Sequence, residues 1–433
     1  MLLILPPGII AFTVIVTTLI AVLTTAFTAT GKTNLASTQI LDTEIIPSYE
    51  GGEAVQWLER LQTKAAADGS RQDVEKARLM GTLQRDKKSW STSHPRHRLL
   101  DALFGFQNYR ERQQQFLDHH VQYASKFDRV DEKFVQNQNL CDKIVQAALD
   151  YYGICPKELA KHGKDILASG KKPEKVSVSQ ALKHYVRDWT SAGESERSQT
   201  FPAILTSLEQ LFPDRRDAKE PLRILLPGSG LNRLAVDVAQ LGGFEVTANE
   251  FSMYMNIAYR FLEANPTHNA SSFHPFVDVW SHHISENDML RQLQFPDVNL
   301  PTDSVVLVEG DFTTVFNQEG GKYDILLTYF FIDTARNLMS YFDTIRHLIK
   351  PGGYWMNLGP LLYGTGPLVQ LSLKEVITVT EAMGFTFLDT DESIGDITVP
   401  GKKVRGMRAV YSFDDRALTS SAYKAQFWVA QKK

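Results

Sequence analysis

One stretch in the second half of the chain limits the fold more than any other. From Pro221 to Phe251 it reads PLRILLPGSGLNRLAVDVAQLGGFEVTANEF. Arg223–Leu226 is an apolar run that suits a buried parallel strand, and Leu231–Leu241 repeats apolar side chains at helical spacing. A Gly-Gly pair ends that helix, and Phe244–Ala248 is a second strand. This order predicts the first half of a nucleotide-binding α/β unit.

The turn and the end of the second strand carry the residues expected to bind a ligand. Gly228 and Gly230 let a ligand approach the backbone closely, and the Glu250 carboxylate can accept hydrogen bonds from both hydroxyls of a ribose. A pyrophosphate site usually has a third glycine here, but Leu231 and Asn232 follow the turn. S-adenosylmethionine has no phosphate, so the pattern favours it over NAD. A purely structural glycine turn is the alternative.

The segments downstream repeat the pattern of such a fold. Ser304–Val308 predicts a third strand, which Asp311 and Phe312 follow closely. Asp311 is expected to bind the adenine amino group, and Phe312 to cover the ring. A fourth strand, a helix, a turn and a fifth strand are predicted over Tyr323–Phe331, Tyr341–Ile349, Lys350–Gly353 and Tyr354–Leu358. We therefore predict an α/β, Rossmann-like class I methyltransferase, with a parallel-rich seven-stranded sheet flanked by helices.

Several of these segments together resemble a known family. In chain order, PGSGLNRLA, NEFS, GDF, FFIDTA, LKPGG and NLGPLLY are similar to motifs of the carnosine N-methyltransferase family. The resemblance begins near Arg98–Tyr109, includes Tyr185–Trp189 and runs to the C-terminus. It implies an S-adenosylmethionine-dependent enzyme that methylates an imidazole nitrogen of the dipeptide carnosine.

The resemblance also implies roles for three side chains. Arg187 is expected to bind the methionine carboxylate of the cofactor, because a guanidinium can hold a carboxylate with two hydrogen bonds. Asp333 is expected to be catalytic, accepting the N–H of the substrate imidazole and offsetting the charge that forms on the ring. Tyr423 matches a family tyrosine near the substrate. The structural alternatives are an Arg187–Asp188 surface pair and a helix N-cap at Asp333.

The chain departs from the family at two positions of the expected site. Where the family has a histidine that contacts the dipeptide, this chain has Gly364, which cannot supply that contact to carnosine. A family glutamine three residues before the cofactor arginine is replaced by His184. A different imidazole, a histidine in a protein or another amine are the open substrates. A catalytically degenerate, membrane-tethered binding protein is the alternative from another functional class.

The chain divides by composition into four parts. Residues 1–30 form a hydrophobic anchor or signal segment, 31–96 a polar linker, 97–180 a helical subdomain and 181–433 the methyltransferase domain. Ile9–Phe27 is apolar and long enough to cross a bilayer as a helix. We expect a membrane anchor with the catalytic domain in the cytosol, where S-adenosylmethionine is made. A cleaved signal peptide and a wrongly assigned start are the alternatives.

The net charge and the spacing of the histidines indicate which binding partners to expect. The net charge of −4 gives no broad basic surface, so nucleic acid is not an expected partner. The long excursion Asn265–Asp303 contains four histidines, but their spacing does not match a metal site, and no metal is predicted. A loop of this length is more often functional, and we expect it to cover the substrate. The predicted partner is a small molecule or a dipeptide.

Overall fold

A mostly parallel β-sheet forms the centre of the protein. The computed structural model describes residues 69–84, 91–117, 124–301, 303–364 and 366–433. Nine strands form the sheet in this part of the chain, in the order β5-β2-β1-β6-β7-β11-β10-β9, with β8 beside β11. The strands are β1 (Leu222–Pro227), β2 (Phe244–Glu250), β5 (Val305–Glu309), β6 (Tyr323–Tyr329), β7 (Ile349–Gly359), β8 (Phe385–Phe387), β9 (Asp396–Ile397), β10 (Arg405–Val410) and β11 (Ala422–Lys432).

The strand directions confirm the α/β prediction and correct the strand count. The pairs β1/β2, β1/β6, β2/β5 and β6/β7 are parallel, and β11 runs antiparallel to both β7 and β10. Seven strands make up this arrangement, which is the Rossmann-like fold expected of a class I methyltransferase. The two additional strands, β8 and β9, have three and two residues and extend the sheet beside β11 and β10. A separate hairpin consists of β3 (Ser271–Phe273) and β4 (Leu293–Phe295).

Strand β1 shows why this sequence forms a buried central strand. Ile224 and Leu226 belong to one apolar core, whereas Leu225 belongs to a second core. Successive side chains of a strand point to opposite faces, so a run of apolar residues is needed where both faces are covered. Pro227 pairs with Asn249, and Glu250 pairs with Glu309. The carboxyl ends of β1, β2 and β5 therefore meet at one edge, where open α/β sheets bind ligands.

Helices cover both faces of the sheet. The N-terminal ones pack into the same apolar core as Ile224 and Leu226. One of them, α6 (Val176–Trp189), runs across the boundary between subdomains that the sequence predicts at residue 180. The helices are α1 (Arg71–Thr82), α2 (Pro95–Gln107), α3 (Tyr109–Leu117), α4 (Ala124–Tyr152), α5 (Pro156–Ala168), α6 (Val176–Trp189), α7 (Glu194–Leu211), α8 (Arg233–Gln240), α9 (Met253–Ala264), α10 (Glu286–Leu290), α11 (Phe312–Val315), α12 (Leu338–Leu348) and α13 (Leu373–Ala382).

Helix α1 lies inside the range that was expected to be a polar linker, 31–96. It begins with a capping box formed by Ser70 and Asp73, and Leu79 on its inner face is buried. Arg78 donates a hydrogen bond of 2.8 Å to the backbone oxygen of Glu309, at the end of the edge strand β5. The helix therefore covers a sheet edge that would otherwise be open to pairing. This part of the range is an ordered layer rather than a linker.

The N-terminal apolar segment lies outside the described residues. The anchor expected at 9–27 and the division of the chain at residues 30 and 96 remain predictions. Within the described ranges, no helix combines the length and apolar character needed to cross a membrane.

Candidate active site

The glycine turn after β1 lies at the carboxyl edge of the sheet, and we call the region around it the cleft. Gly228 and Gly230 have φ values of +64° and +56°, a backbone conformation that favours glycine. A Cβ at Gly228 would overlap the ring of Phe331, so the turn packs directly on an aromatic side chain. A Cβ at Gly230 would lie 3.6 Å from His184 Cδ2, an ordinary contact. Gly228 is therefore required for both space and conformation, and Gly230 for conformation alone.

Glu250 lies against this turn from the end of β2. One carboxylate oxygen accepts a hydrogen bond of 3.0 Å from the N–H of Gly230, and the other accepts one of 2.7 Å from the N–H of Ser252. Burial raises the pKa of Glu250, and these two N–H groups oppose that effect. The carboxylate is thus held at the turn, where a ribose bound to the glycines would meet it.

Asp311 and Phe312 follow β5 beside Glu250. The N–H of Gly310 donates to the backbone oxygen of Glu250 over 3.0 Å, which keeps the two strand ends together. Asp311 is exposed and accepts a hydrogen bond of 2.8 Å from the N–H of Thr313, as the N-cap of α11. Phe312 is only 3% exposed, and its ring packs on Phe331 and Tyr341. Of these two residues, Asp311 is the one whose side chain is open to solvent.

Arg187 lies on α6, and the end of this helix is held at the glycine turn. The indole N–H of Trp189 donates to the oxygen of Leu231 over 2.8 Å, which fixes the end of α6 at the turn. The Arg187 side chain is 9% exposed, and its guanidinium carbon lies 4.0 Å from the ring centroid of Tyr411 and 4.4 Å from that of Phe413. Helix and aromatic rings therefore enclose the guanidinium.

Two nitrogen atoms of the Arg187 guanidinium, Nε and Nη2, have no hydrogen-bond acceptor among the described residues. Glu196 forms an ion pair with Arg187, with Oε2 3.4 Å from Nε but no hydrogen bond between them, and its Oε1 accepts the N–H groups of Ser412 and Phe413, each at 2.7 Å. Buried donors without acceptors are rare because they cost free energy. A carboxylate, such as that of the methionine part of S-adenosylmethionine, would satisfy both.

Two neighbours of Arg187 on α6 also face the turn. His184 Nδ1 donates to the oxygen of Gln180 over 2.8 Å, so the other ring nitrogen is an acceptor. Burial and the charge of Arg187 lower the pKa of His184 to about 3, which keeps the ring neutral. Asp188 accepts a long hydrogen bond of 3.4 Å from the N–H of Leu231, and burial raises its pKa to about 6. Asp188 is thus a buried acid at the turn rather than half of a surface pair.

Asp333 lies at the end of β6, in a short 3-10 helix over Ile332–Thr334. Its side chain is 6% exposed and accepts a hydrogen bond of 2.9 Å from the N–H of Leu362. Burial raises the pKa of Asp333 to about 6. Phe330, just before it, has a φ of +49°, which is unusual for a bulky residue and is typical of functional sites. The acid therefore sits in the crevice predicted from the sequence.

Four rings form a surface beside Asp333, which we call the aromatic wall: Phe330, Tyr411, Phe413 and Tyr423. Phe330 stacks on Tyr411 with centroids 5.1 Å apart and planes 16° apart. Tyr423, on β11, lies 5.9 Å from Phe330 and 5.8 Å from Tyr411 between centroids. Burial raises the pKa of Tyr423, and the charges of Tyr411 and Asp333 add to the effect. The structure thus brings Asp333, Tyr423 and Arg187 to one cleft.

The Asn265–Asp303 excursion contacts the loop that carries this wall. Arg291 forms an ion pair with Asp414, and the N–H of Leu418 donates to the oxygen of His282 over 2.7 Å. At its other end, Asp297 accepts hydrogen bonds from Arg197 and Arg233 at 2.7 and 2.6 Å. The excursion therefore braces the wall, while its role as a substrate cover remains a prediction.

Gly364 is exposed in the segment that follows β7. A Cβ built on it meets nothing within 4 Å, and its φ is outside the left-handed region. A larger side chain would be accommodated here.

A cluster of two histidines and an aspartate, the residue types that bind metals, joins α2 to α5. Within the described ranges, His97, Asp101 and His162 are the three residues whose ligand atoms come close enough, all within 4.8 Å of one another. Asp101 accepts from His97 Nδ1 at 3.0 Å and from His162 Nε2 at 2.7 Å. These hydrogen bonds already join α2 to α5, so the arrangement is satisfied as a polar clamp.

Comparison with known proteins agrees with this geometry. A family model described as carnosine N-methyltransferase matches residues 165–433. The carnosine N-methyltransferase of Schizosaccharomyces pombe is 30% identical over 334 residues, which cover 71% of this chain and 83% of the relative. That of Mus musculus is 30% identical over 342 residues, covering 76% and 79% of the two chains. The free donors of Arg187 and the acceptors at the turn fit S-adenosylmethionine as the cofactor. This chain is therefore a methyltransferase that uses S-adenosylmethionine, and it belongs to the carnosine N-methyltransferase family.

Proposed function

We propose that this protein transfers a methyl group to an imidazole nitrogen of a histidine-containing dipeptide or a related small molecule. The observation that supports this most directly is the carboxylate of Asp333. It is almost fully buried at the carboxyl end of the sheet, and it lies close enough to Tyr423 of the aromatic wall to raise the pKa of that tyrosine. An acid in that position suits a flat, neutral ring that becomes a cation.

Asp333 has a definite task in such a reaction. S-adenosylmethionine supplies an electrophilic methyl group when bound, so the protein must hold a neutral nucleophile in line with it. A neutral imidazole has one N–H and one lone pair. A carboxylate that accepts the N–H selects the tautomer and leaves the lone pair of the other nitrogen free to react. The Leu362 N–H orients the carboxylate for this purpose.

The aromatic wall supports the same chemistry. Methylation of a neutral imidazole gives a cationic ring, and aromatic faces stabilise cations in sites from which water is excluded. Phe330 and Tyr423 offer ring surface near Asp333, whereas Phe330 and the guanidinium of Arg187 already stack on Tyr411. The ionised Asp333 offsets the remaining charge, so both the acid and the wall bind the product-like ring more strongly than the neutral substrate.

A methyl-transfer screen tests the proposal. The protein is incubated with S-adenosylmethionine and with carnosine, free histidine, 4-methylimidazole or a histidine-containing peptide, and products are detected by mass spectrometry. We expect methylation on the ring nitrogen of at least one imidazole. Transfer only to amines or hydroxyls, in a protein that binds S-adenosylhomocysteine normally, would exclude the imidazole assignment.

A histidine in a peptide or protein is the second candidate acceptor. The exposed Gly364 favours it, because the family resemblance implies a histidine that contacts the dipeptide at this position, and the glycine leaves that space open. A site without that contact has room for a larger acceptor. The histidine-containing peptide in the screen separates the two candidates.

Gly364→His is expected to raise kcat/KM for carnosine. The new side chain restores a polar contact in a place where it meets no steric obstacle. One neutral hydrogen bond contributes about 0.5–1.5 kcal/mol, so a gain of roughly two- to twelvefold is expected. Steady-state kinetics with carnosine measure it.

Gly81→His is the matched control for this substitution. Gly81 is also exposed with nothing within 4 Å, but it lies on α1. This variant should leave kcat/KM unchanged. If Gly364→His has no more effect than the control, the pocket differs from that of the family beyond this one position.

A further inference from the structure

Two arginine side chains cap the end of helix α6. The last carbonyl groups of a helix have no partner within the helix and must find one elsewhere. Nη1 of Arg197 donates to the backbone oxygens of Arg187 and Thr190. Nη1 of Arg233 donates over 3.0 Å to the backbone oxygen of Asp188. Side chains from α7 and α8 therefore hold the turn of α6 that carries the Arg187 guanidinium.

Asp297, in the Asn265–Asp303 excursion, joins these two arginines. Its Oδ2 accepts a hydrogen bond of 2.7 Å from Arg197, and its Oδ1 accepts one of 2.6 Å from Arg233. Its own N–H donates over 2.9 Å to the backbone oxygen of Trp189, the last residue of α6. The carboxylate is only 14% exposed, so water competes little for these charge-assisted hydrogen bonds. Asp297 thus contacts the helix end itself and both side chains that cap it.

The Asp297 carboxylate also balances the charges of the two arginines. Burial and the charge of Arg233 lower the pKa of Arg197, and the charge of Asp297 opposes both effects. Without that carboxylate, the two guanidinium groups would repel each other at the end of α6. The hydrogen bond from Arg197 to the backbone of Arg187 would then be weakened.

Gly193 shows how closely the chain packs on this helix end. It lies between α6 and α7, and a Cβ at this position would overlap the backbone oxygens of Val186 and Arg187. The chain therefore folds back directly over the last turn of α6. The position of Arg187 is set by contacts from outside its own helix, and Asp297 is the residue that links them.

We propose that Asp297 is a positioning residue for the cofactor, which fixes the end of α6 so that Arg187 meets the methionine carboxylate of S-adenosylmethionine. Nε and Nη2 of Arg187 have no acceptor within the described part of the chain, and two-pronged binding of a carboxylate depends on their exact placement. The excursion thus serves the cofactor through Asp297, in addition to bracing the aromatic wall. This inference goes beyond the proposed function, because it does not depend on the identity of the methyl acceptor.

Calorimetry with two ligands, and without any acceptor, tests this role. One ligand is S-adenosylhomocysteine, and the other is its decarboxylated form, which keeps the nucleoside, the sulfur and the amino group. Asp297→Asn should weaken the binding of the first about five- to tenfold, a part of what charge-assisted hydrogen bonds contribute. The affinity for the second should stay within about twofold, because this ligand offers no carboxylate to Arg187.

Asp131→Asn is the matched control. Asp131 also binds an arginine with both carboxylate oxygens, since Arg110 donates to them over 3.1 and 2.7 Å, but this pair joins α3 to α4. The same chemical change at this position should leave both affinities unchanged.

A double variant shows whether Asp297 acts through Arg187. In the Arg187→Met background, Asp297→Asn should cause no further loss of affinity for S-adenosylhomocysteine. Arg197→Lys keeps the positive charge but lacks the planar set of donors, and it should also weaken only the ligand with a carboxylate; it serves if Asp297→Asn does not fold. Equal weakening of both ligands, an undiminished loss in the Arg187→Met background, or wild-type affinity in the folded variants would overturn the positioning role.

Discussion

Asp333→Asn should lower kcat for methyl transfer to an imidazole by about 10²–10⁴-fold, the range that a positioned acid or base usually contributes. An asparagine can offer its oxygen to the ring N–H, but it has no charge to offset the imidazolium. It can also present its NH₂ group and select the wrong tautomer. The affinity for S-adenosylhomocysteine, measured by calorimetry, should stay within about twofold. A full rate for the variant on whichever imidazole is the substrate would remove Asp333 from the mechanism.

The pH dependence of kcat/KM provides a second test of Asp333. Burial raises the pKa of this acid to about 6, so it becomes protonated and loses its function as the pH falls through that value. The free imidazole, with a pKa of about 6.5, becomes protonated over the same range. On the acid side, a plot of log kcat/KM against pH should therefore approach a slope of two for the wild type. In Asp333→Asn one ionisation is lost, and the slope should fall to one.

An aspartate outside the cleft provides a matched control, because its replacement also removes one acid from the protein. Asp343 is exposed on α12, outside the cleft. Asp343→Asn should keep the wild-type rate and the slope of two. A slope of two that persists in Asp333→Asn would show that another group, rather than Asp333, titrates in the free enzyme.

Arg187→Met should weaken the binding of S-adenosylhomocysteine by roughly 1.5–3 kcal/mol, the usual range for a hydrogen bond to a charged group. This corresponds to a Kd that rises by about 10- to 150-fold. The side chain of methionine fills similar apolar space between Tyr411 and Phe413, but it cannot bind a carboxylate. Calorimetry measures the loss, and Arg187→Lys should recover only part of it, because an ammonium lacks the planar pair of donors.

The stability of the protein with and without ligand distinguishes a binding role for Arg187 from a structural one. Nε and Nη2 are buried without acceptors within the described ranges, so their removal relieves a desolvation cost, but it also loses the stacking on two rings and leaves Glu196 without its ion-pair partner. We therefore expect a lower melting temperature without ligand, and a rise in melting temperature caused by S-adenosylhomocysteine that is much smaller than in the wild type. A lower melting temperature without ligand, together with unchanged affinity, would make Arg187 a structural residue. Arg408→Met is the control for surface charge.

The part of the site that the sequence predicts is local in the chain. Gly228, Gly230 and Glu250 belong to one strand-turn-helix-strand unit, and the structure brings the Glu250 carboxylate to within 3.0 Å of the Gly230 N–H. The positive φ of both glycines is a property of the turn itself. Asp333 directly follows a strand, and parallel strands bring their ends to one edge. Their placement in one cleft follows from the order of these elements.

Other parts of the site depend on segments that are distant in sequence. Arg98 meets Phe251 only because α2 packs over the end of β2, and nothing in the residues around Arg98 indicates that partner. Glu196 on α7 likewise accepts a hydrogen bond from the N–H of Phe413, a residue far away in the sequence.

The corrections to the fold have a similar origin. Two short strands, β8 and β9, have too few residues to show a periodic pattern, and they exist because β11 and β10 offer unpaired edges. Helix α1 has its own signal in the Ser70–Asp73 capping box, yet its surroundings are polar. Its place beside β5 results from the burial of Leu79 and from the Arg78 hydrogen bond to Glu309.

By itself, the sequence determined the class of fold, the cofactor and the family, because glycine turns, buried strands and strand-end acids act through neighbours in the chain. The tertiary structure alone decided which side chains complete the cleft. Arg187 has unpaired donors because of how α6 ends at the glycine turn and how the loop of Tyr411 and Phe413 encloses the guanidinium. Asp333 has a raised pKa because of what buries it. Burial and long-range contacts arise only when distant segments pack together, so a local sequence pattern does not predict them.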